Sequence, residues 1–182
     1  MMRFKNAMIF LADEGFVRGG FAVENGVFSE IRKGEGPEDC IDLQGQYVIP
    51  GLIDIHTHGN SGADFSDGDY EGLKKMARYL AENGVTGFAP ASMTLPYEVL
   101  ETAYLTAKRL RDEQPEGCAA LLGINMEGPF FSEKKKGAQN GAYLRNPDWE
   151  AFRHLYEVSD GLIRIADLAP ELPGAVTFTE KA

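Results

Sequence analysis

Pro50-Gly51-Leu52-Ile53-Asp54-Ile55-His56-Thr57-His58-Gly59 decides the reading of this chain. It is an apolar strand, opened by Pro-Gly and closed by two histidines. Histidines at i and i+2 on a strand point to the same face, with Cα atoms about 6.6 Å apart at about 3.3 Å per residue. Two imidazoles so placed can converge on one divalent ion, and imidazole suits zinc and iron. Asp54 lies two residues earlier on that face, either as a hydrogen-bond acceptor for a ligand ring or as a structural residue. The plain alternative is a pair of ordinary loop histidines. Against it, the chain has only three histidines, and two stand here directly after an apolar strand.

Upstream, the chain reads as a small β module. Phe4 to Leu11, Phe16 to Glu24 and Val27 to Ile31 are β-prone, and Asn25-Gly26 is a hairpin turn between the last two. A Gly/Pro/acidic stretch from Lys33 to Asp39 interrupts the pattern, and Ile41 to Leu43 and Tyr47 to Ile49 add further strand. Downstream of Pro50 the rhythm becomes strand, loop, helix. Strands are expected at Leu52 to His56, Val85 to Ala91, Ala119 to Met126 and Leu162 to Leu168. The 3.6-residue period predicts helices over Asp69 to Asn83, with Leu73, Met76, Ala77 and Leu80 on one face, over Tyr97 to Glu113, with Leu100, Tyr104, Ala107 and Leu110 as its stripe, and over Asp148 to Val158. Asp67 is the expected N-cap of the first helix and Gly84 its terminating glycine. Four apolar strands spaced by helices predict an α/β fold with a parallel sheet. An open doubly wound sheet and a (β/α) barrel both fit. A barrel takes eight such units and about 250 residues. The domain reading is residues 1–49 as the β module and 50–182 as the α/β part.

Composition narrows the function classes. The 182 residues are 43% hydrophobic and 25% charged, as in a globular protein, with a formal net charge of −10 from 28 acidic and 18 basic residues. That balance disfavours nucleic acid and anionic membrane surfaces as partners. Two cysteines, Cys40 and Cys118, make neither a disulfide framework nor a zinc finger. With no signal-peptide pattern at the start and no apolar run near the ~20 residues that span a bilayer, the cytoplasm is the expected compartment.

A second chemical signal is Ile124-Asn125-Met126-Glu127-Gly128-Pro129-Phe130. Glu127 ends the third expected strand, so its carboxylate reaches the same rim as His56 and His58 and can complete a His-His-carboxylate set. A lone strand-end glutamate is more often a solvated rim residue. The third signal is Ser132 to Asn140, whose lysine run reads as a solvated loop face or as a substrate-contacting loop carrying Gln139 and Asn140. His154, inside the third helix, reads as a surface or packing residue. No Walker or dinucleotide fingerprint is present.

Val48 to Gly59 resembles the first metal motif of the amidohydrolase superfamily. Met126-Glu127-Gly128-Pro129-Phe130, the Lys135 to Asn140 loop and Leu168-Ala169-Pro170-Glu171 resemble the N-acetylglucosamine-6-phosphate deacetylases more specifically. The resemblance runs from about Phe4 to the last residue. It implies the first half of a (β/α) barrel, about four parallel strands, preceded by the N-terminal part of a small β-sandwich module. It implies Glu127 as a metal ligand from the third strand, His56 and His58 as a second-metal pair present in some members, and a zinc or iron cofactor. It implies that Ala138 and Gln139, with Asn140 beside them, contact an amino-sugar phosphate. Many members carry histidine where Gln139 stands. The reaction implied is hydrolysis of N-acetylglucosamine 6-phosphate to glucosamine 6-phosphate and acetate in amino-sugar catabolism.

The same resemblance implies further metal-binding histidines and a catalytic aspartate on later strands, for which these 182 residues have no counterpart. The expectation is therefore a truncated product or fragment, inactive alone, and a homo-oligomer because a half-barrel leaves its edges open. Two other readings remain: a different amidohydrolase, disfavoured because the fourth strand offers no lysine, and a non-catalytic remnant that binds metal or self-associates.

Overall fold

The computed structural model describes residues 1–34 and 39–182, which form two compact units, Met1–Pro50 and Gly51–Ala182. The break expected from Lys33 to Asp39 falls largely on residues 35–38, outside the described residues.

The first unit is one sheet. Strands β1 (Met2–Leu11), β2 (Gly15–Glu24) and β3 (Val27–Lys33) pair antiparallel in sequence order. The short strands β4 (Ile41–Asp42) and β5 (Tyr47–Val48) run parallel to β1 on its free side. The β2–β3 turn has φ +52° at Asn25 and +78° at Gly26. Two positive φ values in a row are what a two-residue hairpin requires, so the Asn-Gly pair sets this register. Ala7, Ile9 and Ala22 are buried, and Phe4 stacks on Phe21 at 4.6 Å.

The second unit alternates strand and helix. It opens with β6 (Leu52–Thr57), then a small hairpin of β7 (Gly59–Asn60) and β8 (Ala63–Asp64). Helix α1 (Tyr70–Glu82), strand β9 (Val85–Pro90) and helix α2 (Tyr97–Glu113) follow. Next come β10 (Ala120–Leu121), β11 (Ile124–Glu127), α3 (Trp149–Val158), β12 (Ile163–Asp167) and α4 (Ala175–Lys181). β6 pairs parallel with β9, β9 with β10, and β11 with β12. A parallel bridge between Ala91 and Asn125 joins the two groups. The α/β class with parallel sheets is as expected.

Three local expectations need correction. The third strand is not continuous from Ala119 to Met126. Leu122 N–H bonds back to the Phe88 carbonyl at 2.8 Å, whereas Ile124 N–H bonds forward to Leu162 at 2.7 Å. The chain changes partner at Gly123, where a Cβ would stand 2.4 Å from Arg164 Cγ. The N-cap of α1 is Asp69, not Asp67: Asp69 accepts from Glu71 N–H and Gly72 N–H. Asp67 instead closes a 3-10 turn, Phe65–Asp67, by accepting from Asp64 N–H at 3.2 Å. That extra turn lets Phe65 be buried, with its ring stacked 6.1 Å from Tyr104. Helix α4 is unforeseen; at seven residues it is too short to show a period. It exists because Phe178 packs among Phe130, Phe152 and Trp149.

The helical stripes are the predicted ones. Leu73, Met76, Ala77 and Leu80 of α1 and Leu100, Tyr104, Ala107 and Leu110 of α2 are buried together with Phe88, Ile124 and Met126. Asn83 caps α1 and Gly84 follows at φ +81°, the left-handed stop read from the sequence. Among the described residues no helix is long and apolar enough to cross a membrane. This core fixes the strands whose C-terminal ends carry the polar residues.

Candidate metal centre

Three strand ends meet at one point. His56 is the penultimate residue of β6, His58 follows it directly, and Glu127 is the last residue of β11. One donor atom from each lies within 4.8 Å of the others, and among the described residues no other His/Cys/Asp/Glu group of three is so arranged. Glu127 Oε2 stands 2.9 Å from His58 Nε2 and 3.4 Å from His56 Nε2. The two rings meet edge to face with centroids 5.3 Å apart.

The surroundings assign the ring nitrogens. His58 Nδ1 is 3.0 Å from the Ala91 carbonyl oxygen, which can only accept. Nδ1 of His58 therefore carries hydrogen, and in the neutral ring Nε2 presents its lone pair to Glu127. Two lone pairs at 2.9 Å repel unless a proton or a cation stands between them. His56 is held differently. Asn125 Nδ2 lies 3.2 Å from His56 Nδ1 and donates to the Ile55 carbonyl at 3.2 Å. An amide nitrogen donates, so His56 Nδ1 accepts, and the neutral ring keeps its hydrogen on Nε2, facing Glu127.

Does this set fit a metal ion? Glu127 Oε2 is buried and has no hydrogen-bond partner of acceptable geometry, despite its nearness to both rings. A short approach without a hydrogen bond is what donors arranged around an ion leave behind. Donors about 2.0–2.1 Å from a tetrahedral zinc ion stand about 3.4 Å apart, and the observed 2.9 and 3.4 Å lie close to that spacing. The Nδ1–H to carbonyl bond of His58 is the usual outer support of a ligating imidazole. The set fits, with His58 and Glu127 already poised. His56 reaches the same state by a tautomer shift that turns an acceptor toward its Nδ1. Asn125, which is buried, has such an acceptor in Oδ1, an atom with no partner.

Backbone geometry holds Glu127 in place. Gly128 has φ +89°, and a Cβ there would meet Thr94 Oγ1 at 2.2 Å. Only glycine allows the turn out of β11 so close to the loop after β9. Asp54 accepts from the backbone N–H of His56 at 3.0 Å, so it shapes the strand end rather than binding a ring. Asp64 and Asp67 are spent on capping the 3-10 turn.

The three residues of the 138–140 loop have different fates. Ala138 is exposed. Gln139 is buried; its Oε1 accepts from Thr94 N–H at 2.6 Å and its Nε2 faces Met93 Sδ at 3.8 Å. It ties this loop to the one after β9. Asn140 is exposed and caps a 3-10 turn, Gly141–Tyr143, by accepting from Ala142 N–H. His154 pairs with Glu101 on the helical surface at 3.0 Å.

Sequence reasoning names neither Asn125 nor Asp167. Asp167 ends β12 and pairs in register with Glu127. Partial burial holds its carboxyl above the usual range; the Glu127 charge adds to that and His56 opposes it. The strand-end rule that finds Glu127 finds Asp167 as well. Asn125 sits two residues before Glu127 on the same strand face, but its role depends on where the His56 ring falls, which no spacing reveals.

The Amidohydrolase family profile matches residues 47–181. The N-acetylglucosamine-6-phosphate deacetylase of Vibrio furnissii is 36% identical over 155 residues, which is 84% of this chain and 39% of the relative. That of Bacillus subtilis is 33% identical over 174 residues, 92% of this chain and 44% of the relative. Among solved structures, the N-acetylglucosamine-6-phosphate deacetylase of Pasteurella multocida superimposes with a TM-score of 0.85 at 30% identity, over 99% of this chain and 48% of that one. The chain thus spans less than half the length of these relatives.

The unequal footing of the two histidines gives a test. In competition titrations of zinc against a chromophoric chelator, His58→Ala and Glu127→Ala should each weaken binding by more than about 100-fold, beyond what loss of an outer support costs. His56→Ala should cost about tenfold. Zinc affinity unchanged in Glu127→Ala would remove Glu127 from the ligand set.

Proposed function

Because the chain belongs to the amidohydrolase family, we propose that it is the N-terminal half of a metal-dependent N-acetylglucosamine-6-phosphate deacetylase. In this reading residues 1–49 are part of the small β module and residues 50–182 are the first four strands of a (β/α) barrel. One observation carries it: the Glu-Gly-Pro-Phe glutamate lies 2.9 and 3.4 Å from the two histidines of the His-x-His motif. The relatives with that printed name support the substrate class.

His56, His58 and Glu127 hold the ion, and two imidazoles with one carboxylate suit zinc or iron. A bound divalent ion supplies Lewis acidity toward the amide carbonyl and an activated water at neutral pH. The loop around Ala138 and Asn140 faces the amino-sugar phosphate, and Gln139 fixes that loop against Thr94. Transfer of the proton to the leaving amine needs an acid that these residues do not provide. Asp54, Asp64 and Asp67 are occupied by backbone N–H groups. In this reading catalysis belongs to a longer cytoplasmic polypeptide or assembly that contains this half, which the greater length of the relatives supports.

Open edges support the same conclusion. β6 and β12 each pair on one side only among the described residues. On β6, Leu52, Ile53 and Ile55 are each more than half exposed. Beside β12 runs a groove of about 490 Å³ lined by Trp149, Phe152, Tyr156, Ile163, Ile165 and Phe178, among others. Unpaired strand edges with apolar faces recruit another chain, and a second copy of this one covers them when nothing else does.

Two measurements test this. The 182-residue chain alone should release no acetate from N-acetylglucosamine 6-phosphate. A folded chimera joining it to the C-terminal remainder of the Bacillus subtilis relative should release acetate and lose at least about 100-fold on Glu127→Ala. A folded chimera without that activity, or chelator-sensitive turnover by the chain alone, contradicts the reading. In light scattering at micromolar concentration the chain should be a dimer or larger; a concentration-independent mass near 20.0 kDa would refute self-association.

A further inference from the structure

Asp167 is an acidic strand-end side chain at this rim that lies outside the group of His56, His58 and Glu127. It closes β12 as Glu127 closes β11, and the two are register partners in a parallel pair. Neighbouring strands lie about 4.8 Å apart, and paired residues project from the same face. The Asp167 carboxylate therefore emerges beside Glu127, on the side of the sheet where Glu127 meets the histidines, and it is near enough to His56 and Glu127 for both charges to act on it.

Its environment is not that of a solvated rim residue. Asp167 is partly buried, and among the described residues its side chain makes no hydrogen bond or ion pair. The other strand-end carboxylate of the motif region, Asp54, has a backbone N–H to itself. Two carboxylates side by side without a donor between them repel, and burial strengthens that repulsion. A divalent cation removes the conflict and a packing role does not. Beside the pair, the buried Asn125 leaves Oδ1 without a partner on the same face of β11, a second sign of an unfilled polar site.

We propose that Asp167 is a fourth protein donor to the divalent ion held by His56, His58 and Glu127. The proposal rests on that three-residue centre. The Asp167 carboxylate stands outside the tight group of three, so it joins by rotating its side chain toward Glu127. One consequence is that this chain would give the ion two nitrogens and two carboxylate oxygens, with a fifth position left for water or substrate. Another is that the fourth strand contributes to the site through an aspartate where a lysine is absent.

The test uses the 182-residue chain with zinc alone and cobalt(II) alone, comparing wild type, Asp167→Asn, Asp167→Glu and Glu127→Gln, each checked for folding by circular dichroism. Asp167→Asn is isosteric and should weaken zinc binding about tenfold or more. It should also change the intensity of the cobalt(II) visible bands, which report coordination number. Asp167→Glu, which keeps a carboxylate, should stay within about threefold of wild type, a small change beside that expected for loss of a donor. Asp167→Asn with unchanged affinity and spectrum, while Glu127→Gln is weakened, would overturn the proposal and leave the three-residue centre standing. Equal losses in Asp167→Asn and Asp167→Glu would also overturn it, since packing rather than donation would then be at stake. Glu127→Gln indistinguishable from wild type would bring down the three-residue centre, and this proposal with it.

Discussion

The second unit is organised around one unresolved electrostatic contact: Glu127 Oε2 set 2.9 Å from a ring nitrogen whose partner atom is already committed to the Ala91 carbonyl. With the Nδ1 hydrogen fixed, the pair is stable only with a proton or a cation between its atoms. Strand pairing and one tight turn bring the two together. β6 and β11 are held in one parallel array through β9 and the Ala91–Asn125 bridge. Gly128 turns the chain sharply against Thr94, and Gln139 clamps the same Thr94 from the other side. The helices contribute by burying the apolar faces that fix those strands.

Much of this is legible in the sequence, for identifiable reasons. His56 and His58 follow an apolar run, and the period of two forces them onto one face. Glu127 is found because strand ends in α/β folds share a rim. The helical stripes are strong because Leu73, Met76, Ala77 and Leu80, and likewise Leu100, Tyr104, Ala107 and Leu110, recur at the helical period and are all buried. What escaped depends on contacts distant in sequence. The break at Gly123 depends on Leu162, thirty-nine residues later, whose carbonyl takes the Ile124 N–H. The displaced cap of α1 follows from burying Phe65 against Tyr104. Asn125 and Asp167 acquire their meaning only once β11 lies between its neighbours. Gln139, read as a ligand-facing residue, has its carboxamide turned toward Met93 and Thr94.

The two histidines illustrate how a motif can be symmetric in sequence and unequal in structure. Both project from one strand end, yet one is oriented by a carbonyl and the other by an amide. The first arrangement leaves Nε2 ready to bind an ion, and the second leaves it protonated until the amide or the ring rearranges. A divalent ion there would meet a ready lone pair on His58 and a protonated Nε2 on His56.

X-ray absorption at the zinc edge of the zinc-loaded chain tests the central claim most directly. The account predicts a shell of nitrogen and oxygen at about 2.0–2.1 Å, with the multiple-scattering signature of two imidazoles and no sulfur. A sulfur shell at about 2.3 Å, which would place the ion on Cys40 or Cys118, or a spectrum without imidazole, would contradict it.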